Sequence, residues 1–281
     1  MTRFYEILPG TLSWSTLVVL LLFSFQFPAA VAVFVVLFDL YWFLKTIYLF
    51  FHLRYSFVEM RRTIARNWAA EVGTRGDHIF HLVVLPMYGE PLALVRETLA
   101  ALSRTRYGRE RMFVVLATEA RGGEEDARVA AAVAREFESA FAGFHVTRHP
   151  EGIPGELTGK GSNETWAAKE AVKRFVEARN IPYEHVIVSV FDIDTRPGPD
   201  YFSVLTYRFL TESKPLRASY QPIPLFTNNL HKVPVFARLI GFTTTFWNFM
   251  QQSRAEQLVT FSSHSIPLSA LAAVGYWHTG I

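Results

Sequence analysis

The chain has 281 residues, half of them hydrophobic and 15% aromatic, and a formal net charge of only +3. That balance is too mild to argue for nucleic acid as a partner. With no cysteine, disulfides, zinc thiolate sites and thiol nucleophiles are excluded.

The apolar excess sits at the N-terminus, where no charged residue occurs from Ile7 to Phe38. A spanning helix needs about 20 apolar residues. Two spans fit the run, Leu8–Phe27 and Ala29–Phe51, broken at Pro28. One span followed by a helix in the interface is the other arrangement, and a buried helix pair is the soluble counterpart. The apolar stretch is too long, and its N-terminal flank too poor in charge, for a cleaved signal peptide. Asp39 and Lys45 fall within the second span, where charges are costly and usually face a partner or an interface. Arg54, Arg61, Arg62 and Arg66 follow it. Basic residues beside a span stay cytoplasmic, which predicts a multi-pass protein of the inner membrane with its remaining residues in the cytoplasm.

Four segments follow from this reading: membrane helices over 1–53, an amphipathic connector over 54–77, a strand–helix domain over 78–231 and an amphipathic region over 232–281. The connector ends in the turn signal Gly73-Thr74-Arg75-Gly76. Ile79–Leu85 reads as a strand, and Pro91–Ser103 as a helix with proline in its first turn. Met112–Ala117 is a second strand. Glu124–Phe141 is an Ala-rich helix whose leading acids suit the helix dipole. Gly143–Arg148 is a third strand, followed by a Gly/Pro loop over His149–Gly161. Ser162–Arg179 is a helix with Ser162 as its cap, and His185–Phe191 is a fourth, continuously apolar strand. This alternation predicts an α/β fold with a parallel sheet. Ligands on such sheets bind beyond the carboxyl ends of the strands. In the last region, Phe246, Trp247, Phe249 and Trp277 among polar residues read as a helix on a membrane surface or lining a substrate path, or as an ordinary amphipathic core helix.

Three features can carry chemistry. Asp192-Ile193-Asp194 follows the fourth strand, and residues i and i+2 on a strand project to one side. Two such carboxylates repel unless a cation neutralises them, and a hard divalent ion is the natural partner. A solvated strand end is the bland reading. Pro86-Met87-Tyr88-Gly89-Glu90 closes the first strand before a helix; its Tyr ring can stack on a base, or is simply structural. Gly159-Lys160-Gly161 opens a helix, where a lysine meets a phosphate with little steric hindrance. It is no P-loop, because Pro154 stands where that pattern needs glycine and Gly161 where it needs Ser or Thr. His78, His81, His145, His149, His231, His264 and His278 show no ligand-like pairing. Ser263 and Ser265 flank His264 without a nucleophile elbow.

In order and spacing, these motifs resemble the membrane-bound family-2 glycosyltransferases that include cellulose- and hyaluronan-synthase-like enzymes. The resemblance runs from about residue 79 to the end. Pro86–Glu90 is similar to the family's Pro-x-Tyr-Asn-Glu, with Gly89 in place of Asn. Lys160 matches its Gly-Lys segment, and Asp192-Ile193-Asp194 its metal-binding Asp-x-Asp. Gln221-Pro222 and Gly275-Tyr276-Trp277 resemble segments on its acceptor side. The resemblance implies a Rossmann-like GT-A nucleotide-sugar domain behind a transmembrane hairpin. It implies transfer of a sugar from a nucleotide-diphosphate sugar, a UDP-sugar favoured, to a glycan or lipid-linked acceptor, with inversion. Pro86, Tyr88, Glu90, Glu119, Lys160 and Asp192 would hold the donor. Asp192 and Asp194 would hold Mg²⁺ or Mn²⁺, and Gln221, Pro222 and Trp277 would face the acceptor. Glu119 is the only acid after the second strand for reading the base. The family's catalytic base would fall beyond Ile281, so the chain reads as truncated and lacking that base. A nucleotidyltransferase, or a membrane scaffold on a decayed nucleotide fold, are the competing readings.

Overall fold

The structure, a computed structural model, describes residues 2–226, 233–254, 258–260 and 262–280. His231 and the boundary drawn at 231/232 lie outside the described residues.

Two helices open the chain, α1 (Thr2–Gln26) and α2 (Pro28–Ala65). Pro28 sits in the first turn of α2, where its missing N–H costs nothing. Both helices are long and apolar enough to cross a membrane, and none of the residues in their apolar windows is buried. α2 does not end with the apolar run. It continues through the basic residues to Ala65, because nothing between Phe51 and Ala65 breaks a helix. Its 38 residues extend about 57 Å at 1.5 Å per residue. The short α3 (Trp68–Val72) follows, capped by the Asn67 side chain. Trp68 is buried, donates from Nε1 to the Thr63 carbonyl at 2.6 Å and stands edge-on to Tyr207 at 5.1 Å.

The α/β body then unfolds in sequence: β1 (Phe80–Pro86), α4 (Leu92–Ser103), β2 (Met112–Glu119), α5 (Gly123–Phe137), β3 (Gly143–His149), α6 (Lys160–Ala171), β4 (Val186–Val190) and α7 (Tyr201–Thr211). After α7 come α8 (Val235–Gln252), β5 (His264–Pro267) and α9 (Leu268–Ala273). The sheet order is β3-β2-β1-β4-β5, with the first four strands parallel and β5 antiparallel to β4. β1, β2 and β4 are buried almost throughout, as strands covered on both faces must be.

Alternate residues of each strand feed two cores. Val83 and Leu85 of β1, with Val114 and Leu116 of β2, pack against α4 and α5. Leu82 and Val84, with Phe113 and Val115, pack against α6 and α9. In the second core Phe113 lies parallel between Phe80 (5.8 Å) and Phe175 (5.1 Å). Helices thus change face where the chain crosses from β3 back over β1 to β4. That reversal makes the ends of β1 and β4 the switch point of the sheet, where open α/β sheets leave a crevice.

Four local expectations are corrected. α7 and β5 were not expected; β5 is too short and too polar to announce itself, and forms because it covers the open edge of β4. Ser162 is not the cap of α6, which is Gly159 in an extended conformation. The Ser162 hydroxyl instead donates to the Leu157 carbonyl at 2.6 Å. The helix expected from Ser162 to Arg179 is regular only to Ala171, then widens into a π turn over Val172–Val176.

α8 joins the two parts of the molecule. It packs along α2, with Ser253 hydrogen-bonded to His52 Nδ1 at 2.6 Å and the Arg254 guanidinium 5.6 Å from the Tyr48 ring. Phe236, Leu239 and Ile240 are exposed on it, and Phe249 is buried.

Candidate functional site

The crevice at the switch point is a cavity of about 490 Å³. Its floor is built by three strand ends and one helix start. β1 stops at Pro86, and Met87, fully buried, donates its N–H to the Ala117 carbonyl at 2.9 Å. That anchor leaves Tyr88 half-exposed over the cavity. Gly89 has a φ of 82°, a left-handed backbone that favours glycine, and donates its N–H to buried Asp126 at 3.1 Å. The Tyr88 N–H donates to Glu90 at 2.6 Å. Burial, with Asp126 and Asp194 adding, raises the Glu90 carboxyl above the usual carboxylate range against these backbone bonds.

From β2 come Glu119 and, past the strand end, Arg121. Arg121 donates to both oxygens of Glu119, from Nε at 2.5 Å and Nη2 at 3.1 Å, and its guanidinium lies 4.0 Å from the centre of the Tyr88 ring. From α6 come Lys160 and Asn163, the latter donating Nδ2 to the Ala117 carbonyl at 2.8 Å.

The Asp192–Asp194 segment follows β4. Phe191 still donates to the Val84 carbonyl at 3.1 Å, holding the exit against β1. Ile193 is buried, and its carbonyl accepts from Thr98 of α4 at 2.6 Å. The burial of Ile193 turns Asp192 and Asp194 to the cavity, and both line it. Lys160 pairs with Asp192, and its ammonium is 3.7 Å from Glu164, one turn along α6. Burial pushes the Glu164 carboxyl up to about 7; Lys160 opposes this and Asp192 adds to it.

Four carboxylates line the cavity, Glu90, Glu119, Asp192 and Asp194, against two cations, Lys160 and Arg121. A polyanionic ligand needs more positive charge than that. Among the described residues no three His, Cys, Asp or Glu side chains converge on one point. Paired carboxylates with only oxygen donors fit a hard divalent ion that completes its shell with water and phosphate oxygens, as Mg²⁺ characteristically does.

Every donor-side residue named from the sequence therefore lines one cavity: Pro86, Tyr88, Glu90, Glu119, Lys160, Asp192 and Asp194. Gln221, Pro222 and Trp277 do not. Gln221 donates to the carbonyls of Pro222 (2.9 Å) and Ser263 (3.1 Å), and the Ser263 hydroxyl accepts from the Asp192 N–H at 3.3 Å. Gln221 and Ser263 thus buttress the Asp192 turn. Trp277 packs on the α6 face and donates Nε1 to His264 Nε2 at 3.3 Å. Burial keeps the His264 imidazole below its usual range. Sequence reasoning passed over Arg121, Asn163 and Glu164; the signal was their spacing, two residues from Glu119 and one turn or less from Lys160.

No protein-family model matches the chain, and neither does any curated protein. Among solved structures it is similar to the mannosyltransferase PcManGT from Pyrobaculum calidifontis in complex with GDP-Man and Mn²⁺, at 14% identity and a TM-score of 0.48, over 84% of this chain and 58% of that one. It is also similar to TarS 1-349 from S. aureus, at 9% identity and a TM-score of 0.38, over 71% of this chain and 50% of that one. The complex of TarS 1-349 with UDP-GlcNAc gives 10% identity and a TM-score of 0.39, over 71% of this chain and 48% of that one. The chain thus spans about half the length of these solved structures.

Proposed function

We propose that the chain binds a nucleoside diphosphate sugar at the switch-point cavity and transfers the sugar, with inversion, to a glycan or lipid-linked hydroxyl. The observation that carries this reading is the meeting, in one cavity of about 490 Å³, of an acidic pair at the end of β4, a lysine at the start of α6 and an exposed tyrosine at the end of β1. Each element suits one part of such a donor. Tyr88 offers a ring face to the base, beside Glu90 and Glu119. Lys160 and the first turn of α6 offer positive charge to the diphosphate. Asp192 and Asp194 would hold Mg²⁺ or Mn²⁺, whose charge would stabilise the diphosphate as a leaving group. Burial of Ile193 and the Ser263 contact keep the two carboxylates oriented, so little reorganisation is needed when the donor arrives. The acceptor hydroxyl oxygen would bond to the anomeric carbon as the bond from that carbon to the diphosphate breaks; the bonding pair leaves with the nucleoside diphosphate and the hydroxyl proton passes to water.

The same proposal sets α1 and α2 across a bilayer, with α8 and its exposed Phe236, Leu239 and Ile240 at its surface. Arg54, Arg61, Arg62 and Arg66 at the far end of α2 would keep the α/β body cytoplasmic.

Thermal stability of the detergent-purified chain, with UDP, GDP or their sugars and with or without Mn²⁺, tests the donor site. A ligand at 100 times its Kd adds about 2.7 kcal/mol. Stabilisation is expected only with the metal, and is expected to disappear in Asp194→Ala. Stabilisation that survives that substitution, or none with any nucleotide, would sink the reading.

A further inference from the structure

Arg121 has no role in the readings above, yet it occupies the base-side end of the cavity. The sequence leaves base recognition to Glu119, but that carboxylate is only 6% exposed, and both its oxygens already accept from Arg121. The group turned toward a ligand is the guanidinium. Its side chain is 36% exposed, and its guanidinium stands over the Tyr88 ring, 4.0 Å from the ring centre. A cation over an aromatic face is held there by the ring quadrupole. Glu119 engages Nε and Nη2, which leaves Nη1 outside the pair. Glu151 adds to the stabilisation of the charged form. The result is a guanidinium fixed by a buried carboxylate through Nε and Nη2 and held over a ring, with Nη1 outside the pair, on a residue that lines the cavity.

A guanidinium only donates. It therefore pairs with a carbonyl edge, such as O4 of uracil or O6 and N7 of guanine, and meets the exocyclic amino groups of cytosine and adenine donor against donor. Resting on the proposal that a nucleotide binds this cavity, we infer that Arg121 is a specificity-determining residue that selects donors with a keto base, uracil or guanine, over those with an amino base, and that Glu119 acts as its positioning residue rather than as the base reader.

The test is the Kd of UDP, GDP, CDP and ADP with Mn²⁺ for the full chain in detergent and for Arg121→Ala, Arg121→Lys and Glu119→Gln. The unsubstituted chain is expected to prefer UDP or GDP over CDP and ADP by about 10- to 100-fold, with the bidentate pair to guanine O6 and N7 at the upper end and the single O4 of uracil at the lower. Arg121→Ala is expected to bring the keto and amino nucleotides within about 3-fold of each other. Arg121→Lys is expected to do the same, because an ammonium keeps the charge without the fork. Glu119→Gln should lower discrimination by the same route while Arg121 remains. No discrimination in the unsubstituted chain, equal weakening of all four nucleotides in Arg121→Ala, or full discrimination in Arg121→Lys would overturn the assignment. Failure of all four nucleotides to bind the unsubstituted chain would instead overturn the nucleotide reading of the cavity itself. Unfolding curves of the ligand-free variants check that the exposed Arg121 side chain can be replaced without loss of fold.

Discussion

In the α/β body, apolar side chains are hidden: Leu82, Val83, Val84 and Leu85 of β1 are fully buried between two helix layers. Along α1 and α2, residues of the same kind are bare, with Phe25 80% and Val36 65% exposed. Composition alone does not separate the two regions. What separates them is whether a neighbour covers the side chain. Burial of apolar area from water stabilises by roughly 25 cal/mol per Å², so a surface as apolar as that of α1 and α2 has a solvent other than water or a partner. The lesson is that hydrophobicity marks a core in one region and an outer surface in the other, and a substitution should behave oppositely in the two.

The largest contrast is expected at Phe113, which has no exposed surface and is stacked between Phe80 and Phe175. Phe113→Ala should destabilise the body by about 3–5 kcal/mol in chemical unfolding. Phe25→Ala, on the bare surface of α1, should change the same measurement by less than about 0.5 kcal/mol. Val36→Lys reverses the ranking. On a water-facing helix it would be nearly neutral, whereas in mid-bilayer it costs about 2.5–3.5 kcal/mol of insertion. Loss of membrane integration on alkaline extraction is the expected result, and full integration would break the comparison.

Within the body, Gly161→Ala probes the strap formed by the last described residues. A Cβ there would stand 2.6 Å from the His278 carbonyl oxygen, while the Thr165 hydroxyl binds the Trp277 carbonyl and Leu157 binds that of Thr279. Overpacking of this kind costs about 1–3 kcal/mol. Faster amide exchange confined to residues 277–280 would register it. The last effect is a slope rather than a step. His81 is fully buried against Thr206, and burial, with Arg111 adding, lowers its imidazole to about 3. The unfolded chain therefore binds a proton below pH 6.5 that the folded chain refuses until about pH 3. Stability is full above the upper value and falls on acidification across that window by up to about 1.4 kcal/mol per pH unit. His81→Gln, less stable at neutral pH, should lose that part of the slope.

How much of the site could be read in advance differs residue by residue. Asp192 and Asp194 were legible because a continuously apolar strand ends just before them; strand alternation does not set their direction, since they lie in the turn after β4, where burial of Ile193 between them does. Lys160 was legible from its flanking glycines. Arg121 was not, because its place depends on two long-range facts, that β1 and β2 are neighbours and that Tyr88 leaves β1 beside the end of β2. Gln221 and Trp277 were legible as motifs but not as positions; the structure sets one beside the Asp192 turn and the other against α6.

By itself, the sequence determined the alternation of strands and helices, the two long apolar helices, and the residue types available at each strand end. These are local properties, written in periodicity, proline and glycine. Tertiary structure alone decided the strand order, the reversal that opens a crevice between β1 and β4, and the closing of the sheet by β5. It also decided that Arg121 engages both oxygens of Glu119 at the cavity wall. The reason is physical. A β-strand of four to eight residues carries too little local preference to choose its neighbour, and a contact between Arg121 of one strand end and Tyr88 of another exists only after the fold has set the two strands side by side.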